Sequence, residues 1–229
     1  MINGEETTFG VSGKLIRNVL VMYDRATGSL WSQLLGKAVE GPLKDQELEY
    51  LPSWQTTWAD WKARHPETQA LQKGYSGIRD PYASYYQSQS AGVIGETFSD
   101  GRLYVKEFVI GVELDGNAVA YPFSVLNDEP VVNDEVSGEP LLVVFDAETA
   151  SGVIFSRELD DQVLTFIQVG DELRLIDEQT GSTWNGMDGE AIDGPLAGRS
   201  LDRIKSTRSF WFGWKDFYPD TRVYGIDQP

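Results

Sequence analysis

Asp24-Arg25-Ala26-Thr27-Gly28-Ser29-Leu30-Trp31 returns 153 positions later as Asp177-Glu178-Gln179-Thr180-Gly181-Ser182-Thr183-Trp184. The register holds without a gap through Gly36 and Gly189, Gly41-Pro42-Leu43 and Gly194-Pro195-Leu196, Trp58 and Trp211, Trp61-Lys62 and Trp214-Lys215, and Pro66 and Pro219. So many matches in one register predict an internal duplication, and hence one backbone pattern drawn twice. Phe9 and Phe166 lie 157 positions apart, so the first copy carries a surplus of four residues, which falls on Gly10 to Arg17.

Within each copy the residue types predict the elements. Val19 to Tyr23 is a β-rich apolar run that resumes at Ser29 to Gln33, so Asp24 to Gly28 is a hairpin turn. Asp24 can accept backbone N–H bonds there and Gly28 can supply a positive φ. Asp24 and Asp177 could instead be a carboxylate pair for acid-base work, but turn chemistry accounts for both. The segments Asn3 to Leu15 and Asp161 to Leu173, around Phe9 and Phe166, read as strands. Gly36 to Leu43 reads as a loop, and the alternation of Glu47-Leu48-Glu49-Tyr50-Leu51 predicts a half-buried strand closed by Pro52. A helix follows, capped by Thr57 with Asp60 three residues on and stopped by Pro66. Trp58 and Trp61 share one face of it, and Ser209 to Tyr218 repeats the element with Trp211 and Trp214. Paired tryptophans can form a stacking platform for sugars or bases, although in two copies they are expected to anchor a helix on a sheet.

From Leu103 onward strands dominate. Val109 to Leu114 and Ala118 to Tyr121 flank an Asp115-Gly116 turn, Pro122 to Asn127 allows one helical turn, and Leu141 to Phe145 and Gly152 to Phe155 are two further strands. The fold class is therefore mainly β with short helices (α+β), in internally duplicated units that each hold a hairpin and a Pro-terminated, Trp-bearing helix. Three regions follow: an incomplete first unit over 1–73, an aromatic connector over 74–102, and a complete second unit over 103–229.

Composition removes several functions. The 229 residues, 41% of them hydrophobic, suffice for a core, and no apolar run reaches the length of a membrane span. With 36 acidic against 19 basic residues the chain carries a formal charge of −17, a field that repels nucleic acid. Acidity spread along the chain, with arginine favoured over lysine, suits a surface adapted to high salt, or serves ordinary solubility. Cysteine is absent and His65 is the one histidine, so thiolate chemistry and histidine metal cages are excluded. Gly13-Lys14 fails as a phosphate loop, because Thr8 and Leu15 stand where that motif needs Gly and Ser or Thr. The first residues have neither a basic nor an apolar region of the secretory kind, so any export signal would be encoded upstream.

The connector is the candidate binding element. Gly74 to Tyr86 is too aromatic for a flexible linker and is expected to dock; Tyr75, Arg79, Asp80, Tyr82, Tyr85 and Tyr86 are its candidate ligand contacts. It could equally serve only to staple the copies together. Arg25 on the first turn and His65 at the helix end complete the candidate set. No catalytic residue, metal ligand or cofactor is assigned.

The runs Phe9 to Leu15, Met22 to Arg25, Thr27 to Gln33 and Trp58 to Pro66 resemble the DUF3179 family, a domain without an established function. Val109-Ile110-Gly111-Val112, Ala120-Tyr121-Pro122, Val132-Asn133-Asp134 and Gly138-Glu139-Pro140 are similar to a stretch that members carry ahead of the first motif. The family often holds a Cys-Pro-Leu-Cys segment where this chain has Asp146-Ala147-Glu148-Thr149, so no thiol role carries over. For the first copy that segment would precede Asn3. The resemblance also implies an extracytoplasmic location.

Three functions compete: a non-catalytic module for an unknown small molecule or protein, part of a thiol-redox or metal protein whose cysteines lie upstream, and a carboxylate-based hydrolase. The first copy lacks the strand-rich half that precedes the second. A truncated chain is therefore expected, with an open strand edge through which it self-associates.

Overall fold

The computed structural model describes residues 2, 4–51, 53, 55–72, 82–170 and 172–227. In the first part of the chain β1 (Phe9–Ile16), β2 (Val19–Asp24), β3 (Leu30–Ser32) and β4 (Lys37–Glu40) form an antiparallel meander in that order. The surplus of four residues is absorbed in the β1–β2 hairpin, whose register shifts between Val11 and Leu15. Helix α1 (Trp58–Arg64) follows, with the Thr57 hydroxyl accepting from the Asp60 N–H as its cap.

Two local expectations are corrected. Lys37 to Glu40 is a strand inside the stretch read as a loop. Glu47 to Leu51 is not a strand: only Glu47 bridges, to Lys37, and then the chain leaves the sheet edge with Leu51 exposed. Alternation alone cannot make a strand once no neighbouring backbone is within reach.

The connector contributes α2 (Ala83–Gln87). Then β5 (Phe108–Leu114) and β6 (Asn117–Pro122) form a hairpin over the Asp115-Gly116 turn, both of whose residues have positive φ. One helical turn, α3 (Phe123–Leu126), leads to β7 (Val131–Val136), β8 (Glu139–Asp146) and β9 (Ser151–Ser156), a three-stranded antiparallel sheet. A small hairpin of β10 (Glu158–Leu159) and β11 (Gln162–Val163) precedes a second meander, β12 (Phe166–Val169), β13 (Arg174–Asp177), β14 (Thr183–Asn185) and β15 (Glu190–Asp193). Finally β16 (Thr207–Phe210) pairs with β5, α4 (Trp211–Phe217) follows at once, and β17 (Arg222–Val223) joins β6 in parallel.

Burial stacks these elements in layers. Val109, Ala120 and Val223 of the β16-β5-β6-β17 sheet meet Trp211 and Trp214 of α4. Its other face, with Ile110, Val112 and Tyr121, packs on Leu141, Val143 and Ile154 of the three-stranded sheet. Leu142, Val144 and Phe155 on the far side of that sheet cover Phe166, Leu175 and Trp184 of the second meander. The first meander keeps a smaller core of Ile2, Trp31 and Ala38, with Phe9 and Met22 against it. No helix among the described residues is long and apolar enough to cross a membrane.

The two meanders share strand order and contacts in detail. Asp24 accepts from the Thr27 N–H at 2.6 Å, the Thr27 hydroxyl at 2.9 Å and Trp31 Nε1 at 2.9 Å. Asp177 accepts from the Thr180 N–H, the Thr180 hydroxyl and Trp184 Nε1 at the same three distances. Phe9 meets Trp31 edge-on at 5.8 Å, as Phe166 meets Trp184 at 5.5 Å. Gly41 and Gly194 both take positive φ and lie so close to Ser29 and Ser182 that a Cβ would reach within 2.8 and 2.7 Å of those residues' Cα atoms.

The helices match in hydrogen bonding but not in setting. Trp61 Nε1 donates to Thr68 and Trp214 Nε1 to Thr221, each at 3.0 Å. Trp211 is fully buried, whereas its counterpart Trp58 is 55% exposed, and α1 buries no residue. Core packing thus holds for the second tryptophan pair and is corrected for the first: α4 has the β5–β6 hairpin beneath it, and among the described residues α1 has no such sheet.

Candidate functional site

Two clefts meet where the first part of the chain faces β16. One, of about 620 Å³, is lined by Trp58, Trp61, Tyr86, Phe108 and Phe210. The other, 380 Å³, is lined by neutral polar groups including Gln33, Tyr50, Ser53, Ser206 and Ser209. Gln55 and Arg208 line both. These two residues are also counterparts in the 153-residue register, each three positions ahead of its helix's first tryptophan.

Arg208 is held by local structure. Strand β16 is pinned to β5 with Arg208 opposite Ile110, so its side chain crosses Phe108. The guanidinium carbon stands 4.4 Å from the Phe108 ring centre and 5.2 Å from that of Phe123, a cation–π arrangement that fixes the plane. Nη1 donates to the Ala150 carbonyl at 3.1 Å. Nε is buried without a hydrogen-bond partner, and no carboxylate pairs with the group among the described residues. Burial pushes the guanidinium below its ordinary value, with Tyr86 opposing, yet an arginine stays a cation at any working pH.

The surroundings make this arginine unusual in so acidic a chain. Among the described residues neither cleft that it lines includes an aspartate or glutamate, whereas the clefts elsewhere hold Asp146, Glu148 and Glu172, or Glu135 and Asp220. The lining also holds no histidine among the described residues. Among the described residues no group of three or more His, Asp or Glu could hold a metal ion.

The connector reaches this place through α2. Tyr85 and Tyr86 lie 6.4 and 6.3 Å from Phe210, itself stacked on Phe108 at 4.3 Å. Buried Lys106 holds α2 down: its ammonium donates to the Tyr85 carbonyl and, at 2.8 Å, to the Ser88 hydroxyl, and lies 3.8 Å from the Tyr85 ring centre. Burial pushes the Tyr85 phenol up, against a backbone hydrogen bond from Gly92.

Of the sequence candidates, Tyr86 lines the aromatic cleft and Tyr85 supports it, while Tyr82 stands exposed at the start of α2. Tyr75, Arg79 and Asp80 lie outside the described residues. His65 packs its ring 4.1 Å from that of Trp61 and so backs the cleft without lining it. Arg25 lies on the first meander, donating to the Tyr23 hydroxyl at 3.1 Å, and the structure does not bring it to the cleft. Sequence reasoning missed Arg208, Phe108 and Phe210. The one available signal was the register itself, which aligns Arg208 with Gln55 directly ahead of the tryptophan helices.

Asp24 and Asp177 are turn residues. Burial pushes both carboxyls up, but the bonds from tryptophan, threonine and serine outweigh it and hold them below the ordinary carboxylate range.

The fold is of the mainly β class with short helices. The chain belongs to the family described as protein of unknown function (DUF3179), whose model matches residues 1–221. Comparison with the curated proteins and with the solved structures gives no match.

Proposed function

We propose that the chain is a non-catalytic binding module that takes an anionic group at Arg208. One observation carries the reading: a half-buried guanidinium with an enclosed, unpartnered Nε–H, in clefts whose described lining holds no carboxylate, in a chain where acids outnumber bases 36 to 19. A buried donor without an acceptor costs about 1–3 kcal/mol, and more when charged, so a ligand oxygen that supplies the acceptor recovers that cost. With Nη1 engaged and Nε enclosed, a carboxylate would reach Nη2 first, and a shift of the side chain that opens the Nε–Nη2 edge would let it bond both.

The organisation belongs to the same proposal. Two copies of one unit, over 1–73 and 103–229 with the connector 74–102 between them, would explain the matched turns, and the site would form where the first copy meets the second. An extracytoplasmic setting rests on the family resemblance and is tested by fractionating cells that express the native gene.

Thermal shift with formate, acetate, benzoate and inorganic phosphate tests the reading. Carboxylates should raise the melting temperature of the wild type and leave Arg208→Met unmoved. Equal shifts in both proteins, or none with any anion, would sink the anion site.

A further inference from the structure

We infer that the ligand is an acidic sugar, an inference that rests on the anion-site reading and extends it to the remainder of the ligand. The two clefts that meet at Arg208 differ in chemistry. One is walled by rings, chiefly Trp58, Trp61, Tyr86 and Phe210; the other offers amide and hydroxyl groups from Gln33, Tyr50, Ser53, Ser206 and Ser209. Each volume, 620 and 380 Å³, lies in the range of small-molecule sites.

Competing ligands leave part of this surface unused. A planar aromatic acid would satisfy the rings and Arg208 but not the neutral donors and acceptors, whose desolvation would then go uncompensated. A phosphate monoester calls for several cations or converging backbone N–H groups, and among the described residues Arg208 is the one charged residue in either lining. A uronic acid uses everything present. Its carboxylate bonds Nη2, and the enclosed Nε–H as the side chain shifts to open that edge; the C–H face of its pyranose lies on a ring, and its hydroxyls both donate to and accept from glutamine and serine. Gln55, in both linings beside Arg208, is placed to bond the hydroxyl next to the carboxylate.

Trp58 and Trp61 make the site its own reporter. Tryptophan fluorescence and calorimetry would follow D-galacturonate, trigalacturonate, D-galactose and benzoate. We expect D-galacturonate to bind at least about tenfold more tightly than D-galactose, since a charged hydrogen-bonded pair is lost in the neutral sugar. Arg208→Gln should abolish that difference. Gln55→Leu, at an exposed position outside any helix or strand, should weaken D-galacturonate about threefold to tenfold without changing benzoate. This second variant keeps the test decisive if Arg208→Gln fails to fold. Tighter binding of trigalacturonate than of the monosaccharide assigns the site to a polyuronate, and equal binding assigns it to the free acid. Benzoate bound as tightly as D-galacturonate, with dependence on Arg208, overturns the sugar while the anion site stands. Failure of every carboxylate overturns both.

Discussion

Replacing Asp177 with alanine should cost far more than its surface-turn sequence suggests. The carboxylate is fully buried, and it accepts Trp184 Nε1 at 2.9 Å and the Ser182 N–H at 3.2 Å besides the two bonds from Thr180. Trp184 is itself buried and its Nε1–H has no other acceptor, whereas the Ser182 N–H keeps the Thr180 hydroxyl at 3.2 Å, so alanine leaves one enclosed donor without an acceptor and removes both Thr180 bonds. At about 1–3 kcal/mol for that donor and about 1 kcal/mol for the lost Thr180 bonds, the expected loss is roughly 2–4 kcal/mol. Asparagine keeps one acceptor oxygen and should lose roughly half as much. The pH dependence has a definite sign. Hydrogen bonding depresses the folded-state pKa below the ordinary 3.8, so this stability is fully present above that value and is lost as pH falls through the folded pKa. Urea unfolding at pH 7 and at pH 3 would measure both. The gap between wild type and Asp177→Asn should narrow at pH 3. A loss under about 1 kcal/mol for Asp177→Ala at pH 7 would refute the reasoning, as would a gap unchanged by pH.

The tryptophan counterparts should part company: Trp211→Ala should cost about 3–5 kcal/mol by urea unfolding and Trp58→Ala under about 1, because only the former is packed against a sheet. Gly111→Ala should destabilise by about 1–3 kcal/mol in the same assay, since its Cβ would stand 2.3 Å from the buried Trp214 ring. With a formal charge of −17, the melting temperature should rise between low and molar potassium chloride, and a flat or falling profile would remove the high-salt interpretation.

How much was legible depended on whether the cause was local. The Asp-x-x-Thr-Gly-Ser turn, the β5–β6 hairpin, the Thr57 cap and the Pro66 stop were readable because each is settled within a few residues. Strand β16 was not: Thr207 to Phe210 shows no alternation, and its strand character comes from pairing with β5 almost a hundred positions earlier. The unequal burial of Trp58 and Trp211 was invisible for the same reason, since equal residues met unequal neighbours. Connector aromaticity predicted docking, and Tyr85 and Tyr86 do lie against Phe210. For Arg208 the register with Gln55 was the one sequence signal; its seat over Phe108 and Phe123 and its place between two clefts come from the fold.

The most direct measurement of the central claim is an NMR spectrum of the arginine Nε–H groups, recorded with and without sodium acetate and assigned by Arg208→Gln. The Arg208 Nε–H should resonate as a donor without an acceptor and move downfield as acetate saturates the cleft, at constant ionic strength. A resonance already at a hydrogen-bonded position in the free protein, or one that acetate leaves in place, would contradict an unfilled anion site at Arg208.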